Sequence, residues 1–132
     1  MIRFYSSFSS SSSRKARHWL TNHKLEFLEI KINSHHFTDI EIKHILSLTE
    51  SGTDDIISKR CNGYKNIAPF LNDLTLNELV DKINQSPSLL KRPLLIDDKR
   101  LQVGFNEEQL RKFLPRDFRH AEKENFLNRI DI

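Results

Sequence analysis

Two capping boxes in the middle third of the chain constrain its fold more than any other feature. Thr38 is followed three residues later by Glu41, and Thr75 by Glu78. In such a pair the threonine hydroxyl accepts from the amide three residues on, while the glutamate reaches back to the threonine amide, so each pair marks where a helix begins. After the first box, Ile42, Ile45, Leu46 and Thr49 recur along one face, and that helix is expected to end near Gly52. After the second, Leu76, Leu79, Val80 and Ile83 fall at i, i+3, i+4 and i+7. Both helices carry an apolar stripe that needs a surface to cover.

The flanking segments supply that surface as strands. Ile2 to Tyr5 alternates apolar and charged residues, and Leu28, Ile30 and Ile32 alternate with Glu29 and Lys31 as a half-buried strand does. Between them, Arg14 to Asn22 places Ala16, Trp19 and Leu20 at helical spacing, with several serines available as N-caps just before it. Ser6 to Ser13 is a low-complexity tract interrupted by Phe8, which by composition reads as a flexible tail. Further on, Leu94 to Ile96 and Leu101 to Val103 flank the polar residues Asp97 to Arg100, a hairpin with a four-residue loop. Asn106 and Gln109 start a short helix carrying Leu110, Phe113 and Leu114, and Pro115 stops it. A charged last helix from about Asp117 would bury Phe118, Ala121 and Phe126. The order β-α-β, helical insert, β-β-α is an α/β, thioredoxin-like layout with a mixed sheet and the middle helices on one side.

A chain of 132 residues, 37% apolar and 30% charged, with 9 phenylalanines, suits one folded domain rather than two or a disordered chain. No apolar run approaches the ~18 residues that cross a bilayer, and the start lacks a secretory apolar segment, so a cytoplasmic protein without membrane contact is expected. The net charge of +3 is unevenly placed. Arg3, Arg14, Lys15, Arg17 and Lys24 stand in the first 25 residues with no acid, while the remainder has 16 basic and 18 acidic residues. The chain is therefore not a generally basic polymer binder, and its aromatics lack the basic interleaving of a nucleic-acid platform, so sequence-specific DNA binding is not expected. The acid-free, serine-rich start also fits a mitochondrial transit peptide by composition.

Cys61 is the one cysteine. It excludes a disulfide within the chain and any Cys-x-x-Cys metal or redox site, and no catalytic role is assigned to it. The adjacent pair His35 and His36 cannot chelate a metal alone, and no Cys or His cluster has metal spacing. Neither a metal nor another cofactor is expected.

Five blocks carry a family resemblance: Arg-Lys-Ala-Arg-x-Trp-Leu (14–20), Thr-Glu-x-Gly-Thr-Asp-x-Ile-Ile-Ser-x-Arg (49–60), Leu-Leu-x-Arg-Pro-x-x-Ile-Asp (89–97), Lys-Arg-Leu-Gln-Val-Gly (99–104) and Phe-Leu-Pro-Arg (113–116). With their spacing they resemble the Spx regulators, relatives of arsenate reductase. The resemblance spans nearly the whole chain apart from its last dozen residues. It implies one domain over 1–132, with a thioredoxin-like core at 1–32 and 88–116, a helical insert at 37–87 and a C-terminal helix at 117–132. The acid-free start then becomes the first strand, loop and helix of the core rather than a leader.

The resemblance further implies a non-enzymatic regulator of transcription in stress responses, monomeric when free, that binds the C-terminal domain of the RNA polymerase α subunit. A Clp protease adaptor is a second implied partner. Gly52 matches a family glycine at the polymerase contact; as a local feature it reads as a helix C-cap. Ser47 stands where relatives often have a basic residue near that contact. Arg60 matches an arginine that supports the active-site region and is grouped with the polymerase-binding positions.

Ser10 and Ser13 occupy the family's Cys-x-x-Cys positions. A disulfide switch needs an attacking thiolate and an attacked sulfur, and a hydroxyl supplies neither, so redox sensing is not carried over. Serine at both positions fits a natural relative without the cysteines and a double Cys→Ser replacement alike. The competing enzyme reading, an arsenate reductase or glutaredoxin-like reductase, needs a nucleophilic cysteine at position 10. A third reading is a decoy that occupies polymerase or the adaptor without activating transcription. Arg92 matches an arginine beside the active-site loop, and it precedes Pro93, where the thioredoxin-like fold has a cis-proline. Its guanidinium is expected to face Ser10 to Ser13 and the helix N-terminus, as an anion cradle.

Overall fold

The computed structural model describes residues 1–115. In chain order its elements are β1 (Ile2–Ser6), α1 (Ser11–Asn22), β2 (Phe27–Lys31), α2 (Asp39–Ser47), α3 (Thr53–Ile56), α4 (Tyr64–Ile67), α5 (Leu76–Gln85), β3 (Leu94–Ile96), β4 (Leu101–Val103) and α6 (Glu107–Leu110). The sheet order is β2-β1-β3-β4. β1 and β2 are parallel, as the intervening α1 crossover allows, whereas β3 runs antiparallel to both β1 and β4.

Pleating of β1 and β3 separates two cores. Ile2, Phe4 and Leu95 point to the face covered by Ala16, Trp19 and Leu20 of α1 and by Leu110, Phe113 and Leu114. Tyr5, Leu94 and Ile96 point to the other, under Ile42 and Ile45 of α2, Ile56 of α3 and Leu79, Val80 and Ile83 of α5. The middle helices thus lie on one side, as the layout implied. Both capping boxes are present in full, at Thr38 with Glu41 and at Thr75 with Glu78. The hairpin register, Leu94 opposite Val103 and Ile96 opposite Leu101, leaves the expected four-residue loop. In that loop the Asp97 carboxylate accepts from the amides of Lys99 and Arg100 at 2.9 and 2.7 Å. Asn106 caps α6, accepting from the Gln109 amide at 3.0 Å.

Four expectations change. α1 begins at Ser11 rather than Arg14, because Ser10 accepts from the Ser13 amide and so caps it three residues earlier. The serine tract is accordingly no tail: Ser6, Ser7 and Ser13 are buried. Leu28 is 53% exposed, since β2 is the sheet edge and the helices cover Ile30 and Ile32 but not the strand's beginning. α2 stops at Ser47 and Thr49 lies beyond it, so Gly52 is not its C-cap. Gly52 instead precedes α3, with φ 66° and ψ −131°. The helix expected from Asp117, with Phe118, Ala121 and Phe126, lies outside the described residues. Among the described residues no helix is long and apolar enough to cross a membrane.

Removing one cap and one core contact should separate local from tertiary stability. Thr75→Ala should lower the unfolding free energy by about 1 kcal/mol. Ile83→Ala, which empties a fully buried position between α5 and the sheet, should lower it by about 2–5 kcal/mol. Urea unfolding followed by circular dichroism checks both, and equal losses would contradict this division.

Candidate functional site

The serine loop leaves the sheet at the end of β1. Ser10 donates its amide to the Ser7 carbonyl at 3.2 Å, and the buried Ser13 hydroxyl accepts from the Ser7 amide at 3.2 Å. Ser10 and Ser13 are thus brought together, the hydroxyl of one receiving the amide of the other at 3.1 Å. Ser13 holds the turn and Ser10 caps the helix, work that a hydroxyl oxygen does well.

The loop is anchored by Glu29 of β2. Its carboxylate accepts from both arms of Arg17 at 2.7 and 2.6 Å and from the Ser6 hydroxyl at 2.7 Å, and it also pairs with Lys31. The Arg17 hydrogen bonds hold the Glu29 carboxyl down at about 2, against the opposing effect of burial, with Lys31 and Ser6 adding to the lowering. Lys31 also lies 4.1 Å from the ring centroid of the exposed Phe8. Nothing in the sequence pairs Arg17 with Glu29, twelve residues apart and on different elements, so this anchor was not legible there.

Tyr5 opposite Leu94 sets the start of β3 beside the end of β1. The Arg92–Pro93 peptide bond is cis, as expected, at the sheet end from which the serine loop departs. The guanidinium itself does not reach that loop by any hydrogen bond among the described residues. It donates to the Pro87 carbonyl at 2.9 Å, to the Leu90 carbonyl at 3.3 and 3.4 Å and to the Asn33 amide oxygen at 3.4 Å. Carbonyls at the end of a short 3-10 turn, Pro87–Leu89, offer fixed lone pairs, and a neutral serine hydroxyl offers nothing stronger. Burial lowers the Arg92 pKa, and the nearby Cys61 acts in the opposite sense. Cys61 is half-buried and donates its thiol to the Ser58 carbonyl at 3.2 Å.

Arg60 is exposed and shares with Arg92 a cleft of about 620 Å³, lined also by Lys59, Lys91 and Gly104. Its four cations face no lining carboxylate, so the cleft suits an anion, without the serine loop among its walls. A second groove, of about 340 Å³, lies between Thr49, Glu50 and Asp55 on one side and Leu101 and Val103 on the other. Lys91 and Val103 border both, so the cleft at Arg60 and the groove at Glu50 are neighbours.

The turn that carries Gly52 is held by Asp55, whose carboxylate accepts from the Glu50 and Ser51 amides at 2.9 and 3.0 Å. A Cβ built on Gly52 would meet nothing within 4 Å, so the position opens outward while its positive φ strains any side chain. Ser47 ends α2 exposed, its hydroxyl donating to the His44 carbonyl at 2.6 Å, and it offers no charge. Ser47 and Gly52 thus share one surface segment, in which Ser47, Glu50 and Ser51 are exposed and Gly52 is half-buried, and Lys91 lies between its groove and the cleft at Arg60, whereas Ser10 and Ser13 belong to the loop before α1.

This fold defines the class: the ArsC family model matches residues 5–113. Arsenate reductase from Vibrio cholerae superposes with a TM-score of 0.70 at 22% identity, covering 86% of this chain and 97% of that one. An ArsC family related protein from Bacteroides fragilis gives 0.70 at 24% identity, covering 84% and 95%. Sequence relatives are narrower. Global transcriptional regulator Spx 1 of Lactococcus lactis is 48% identical over 92% of this chain and 95% of its own length, and Spx of Streptococcus pneumoniae is 48% identical over 92% of each. Spx of Streptococcus agalactiae is 42% identical across 100% of this chain and 96% of its own. The chain belongs to the Spx regulators within the ArsC family.

The Glu29 anchor makes a pH test possible. A carboxylate held below its unfolded value stabilises the fold above that value, and the contribution disappears as pH falls through the folded value of about 2. Wild type should therefore lose stability relative to Glu29→Gln between about pH 5 and pH 2, by an amount on the order of 1–3 kcal/mol. Parallel unfolding curves for the two proteins across that range would contradict the anchor.

Proposed function

We propose that this chain regulates transcription without catalysis, by docking through the segment Ser47 to Gly52, with Arg60, on the C-terminal domain of the RNA polymerase α subunit. The observation that carries the reading is Gly52. A residue held at φ 66° on an exposed turn, with open space where its side chain would stand, lets a partner backbone approach closely. Relatives at 48% identity are named global transcriptional regulators, and the blocks around residues 49–60 are those that resemble them. The groove beside Glu50 and the cleft beside Arg60 share Lys91 and Val103, which supports one docking face rather than two.

The family's arsenate reductases, such as that of Vibrio cholerae, make thiol chemistry the alternative. A reductase of this kind needs a nucleophilic sulfur at position 10. Here a serine hydroxyl stands there and is engaged as an N-cap. Serine is not oxidised to a disulfide, so oxidants leave docking unaltered.

Gly52 variants test the docking face, because strain and obstruction can be separated. Gly52→Ala brings the backbone strain alone, roughly 1–3 kcal/mol of stability. Gly52→Arg brings the same strain and a bulky cation. With both proteins folded, Gly52→Arg should bind the isolated α domain at least about tenfold more weakly than Gly52→Ala. Isothermal titration checks this, and equal affinities for the two variants would sink the docking role. Diamide treatment should leave the wild-type affinity unchanged; an oxidant-dependent affinity would instead mark Cys61 as a sensor.

A further inference from the structure

The four cations of the cleft beside Arg60 reach it from two stretches of chain. Ile57 pairs with Leu90 in an antiparallel bridge, flanked by the Ser58 amide on the Leu89 carbonyl at 2.6 Å and the Lys91 amide on the Ile56 carbonyl at 2.8 Å. Because the two stretches run in opposite directions, Lys59 and Arg60 leave one end of this contact, and Lys91 and Arg92 leave the other. The backbone thus sets two pairs of cations apart along one cleft of about 620 Å³.

Little of this charge is spent within the chain. Arg60 is exposed and has no hydrogen bond or ion pair among the described residues. Lys91 gives one of its three ammonium protons to the Asp54 carbonyl at 3.4 Å. Arg92 spends Nε and Nη2 on the Leu90 and Pro87 carbonyls, but its Nη1 has only the Asn33 amide oxygen, at 3.4 Å. Lys59 stands 3.8 Å from the Asp54 carboxylate with both side chains more than half exposed, a pair that contributes little and gives way to a better anion. Asp54 is the one acid paired with these cations among the described residues, since the Asp55 carboxylate is taken by the Glu50 and Ser51 amides.

The remaining walls suit a phosphorylated molecule. The Ser88 hydroxyl is exposed in the cleft without a partner among the described residues, free to donate to a phosphoryl oxygen. Val103 adds an apolar wall, and a Cβ built on Gly104 beside it would meet nothing within 4 Å, so that side is open. The volume lies within the range of about 300–1,000 Å³ usual for small-molecule sites, more than one phosphate fills.

We infer that the cleft binds a small molecule carrying a diphosphate group, held at one end by Lys59 and Arg60 and at the other by Lys91 and Arg92. A single phosphate meets one pair of cations, whereas two linked phosphates meet both. The serine loop takes no part, being absent from the walls. An anion held by Arg60 also withdraws that cation from the polymerase α domain, so occupancy competes with docking. This consequence, unlike the site itself, rests on the docking reading given above.

Calorimetric titration of the free protein at low ionic strength, without the divalent metals that chelate diphosphates, tests the site with inorganic pyrophosphate, adenosine diphosphate and adenosine. Both diphosphates should bind and adenosine should not. Tighter binding of adenosine diphosphate assigns the group to a nucleotide, and equal binding assigns it to the inorganic ion. Neutralising either end, by Lys59→Gln with Arg60→Gln or by Lys91→Gln, should weaken pyrophosphate at least about tenfold, while Lys15→Gln on the exposed face of α1 should leave it unchanged. An equal loss in Lys15→Gln overturns the site, because diffuse charge alone then holds the ion. Failure of both diphosphates to bind overturns it too, and duplex DNA binding in their place would make the cleft part of a polymer-binding surface. Saturating pyrophosphate should also lower affinity for the isolated α domain at least about threefold, and an undiminished affinity overturns the competition. If wild type fails to bind the α domain without pyrophosphate, the docking reading falls, and the titrations of the free protein still decide the site.

Discussion

Alternation of side chains along β1 is the constraint on which the rest of the molecule depends. Phe4 faces α1, in edge contact with Phe27 at 5.9 Å between ring centroids, and Tyr5 faces the helices α2 to α5, against Phe37 at 5.4 Å. A shift of one residue in pairing would exchange the two sets, placing Arg3 in the α1 core. The polar ends of the same strand are no less committed. Arg3 meets His44 on one side of the sheet, and Ser6 meets Glu29 across the neighbouring strand. Through these two contacts the central strand fixes both the end of α2 and the serine loop, so both hang from one five-residue element.

Local patterns carried the element order. Capping boxes named the starts of α2 and α5 without ambiguity, because the two hydrogen bonds of each box lie within four residues and need no tertiary partner. The hairpin from Leu94 to Val103 was legible for the same reason. Where the sequence misled, tertiary context decided. Leu28 has the alternation of a buried residue, yet it sits on an edge strand beyond the reach of the helices. Gly52 looked like a C-cap because glycine commonly ends a helix, yet α2 ends five residues earlier and the positive φ belongs to the entry of α3. Tyr5 with Glu41, and Asn84, which clasps the Phe37 amide and carbonyl, join residues 36 and 47 positions apart. No short-range signal reports such pairs.

Charge in the first 25 residues shows how a compositional statement changes once partners are known. Five cations stand there without an acid. In the fold Arg17 is paired with Glu29, an acid just beyond that segment, and Arg3 meets the His44 ring. Arg14 reaches the Phe8 carbonyl at 3.4 Å. The cations that converge in space are different ones, Lys59, Arg60, Lys91 and Arg92, which lie in two separate stretches of sequence brought together by the antiparallel contact of Ile57 with Leu90.

Placement of Arg92 agrees with what stands at positions 10 and 13. A thiolate at the N-terminus of a helix is an anion in a field that favours it, and an adjacent guanidinium would have reason to face it. Two hydroxyls carry no charge, and here each is already engaged by a backbone amide, Ser10 by Ser13 and Ser13 by Ser7. The guanidinium has its better acceptors in the carbonyls of Pro87 and Leu90. Arg92 thereby ties the turn before β3 to itself, and its side chain lines the cleft shared with Arg60 rather than the serine loop. The guanidinium thus lies on the face that also carries Lys91, and Lys91 borders the groove beside the segment that ends at Gly52.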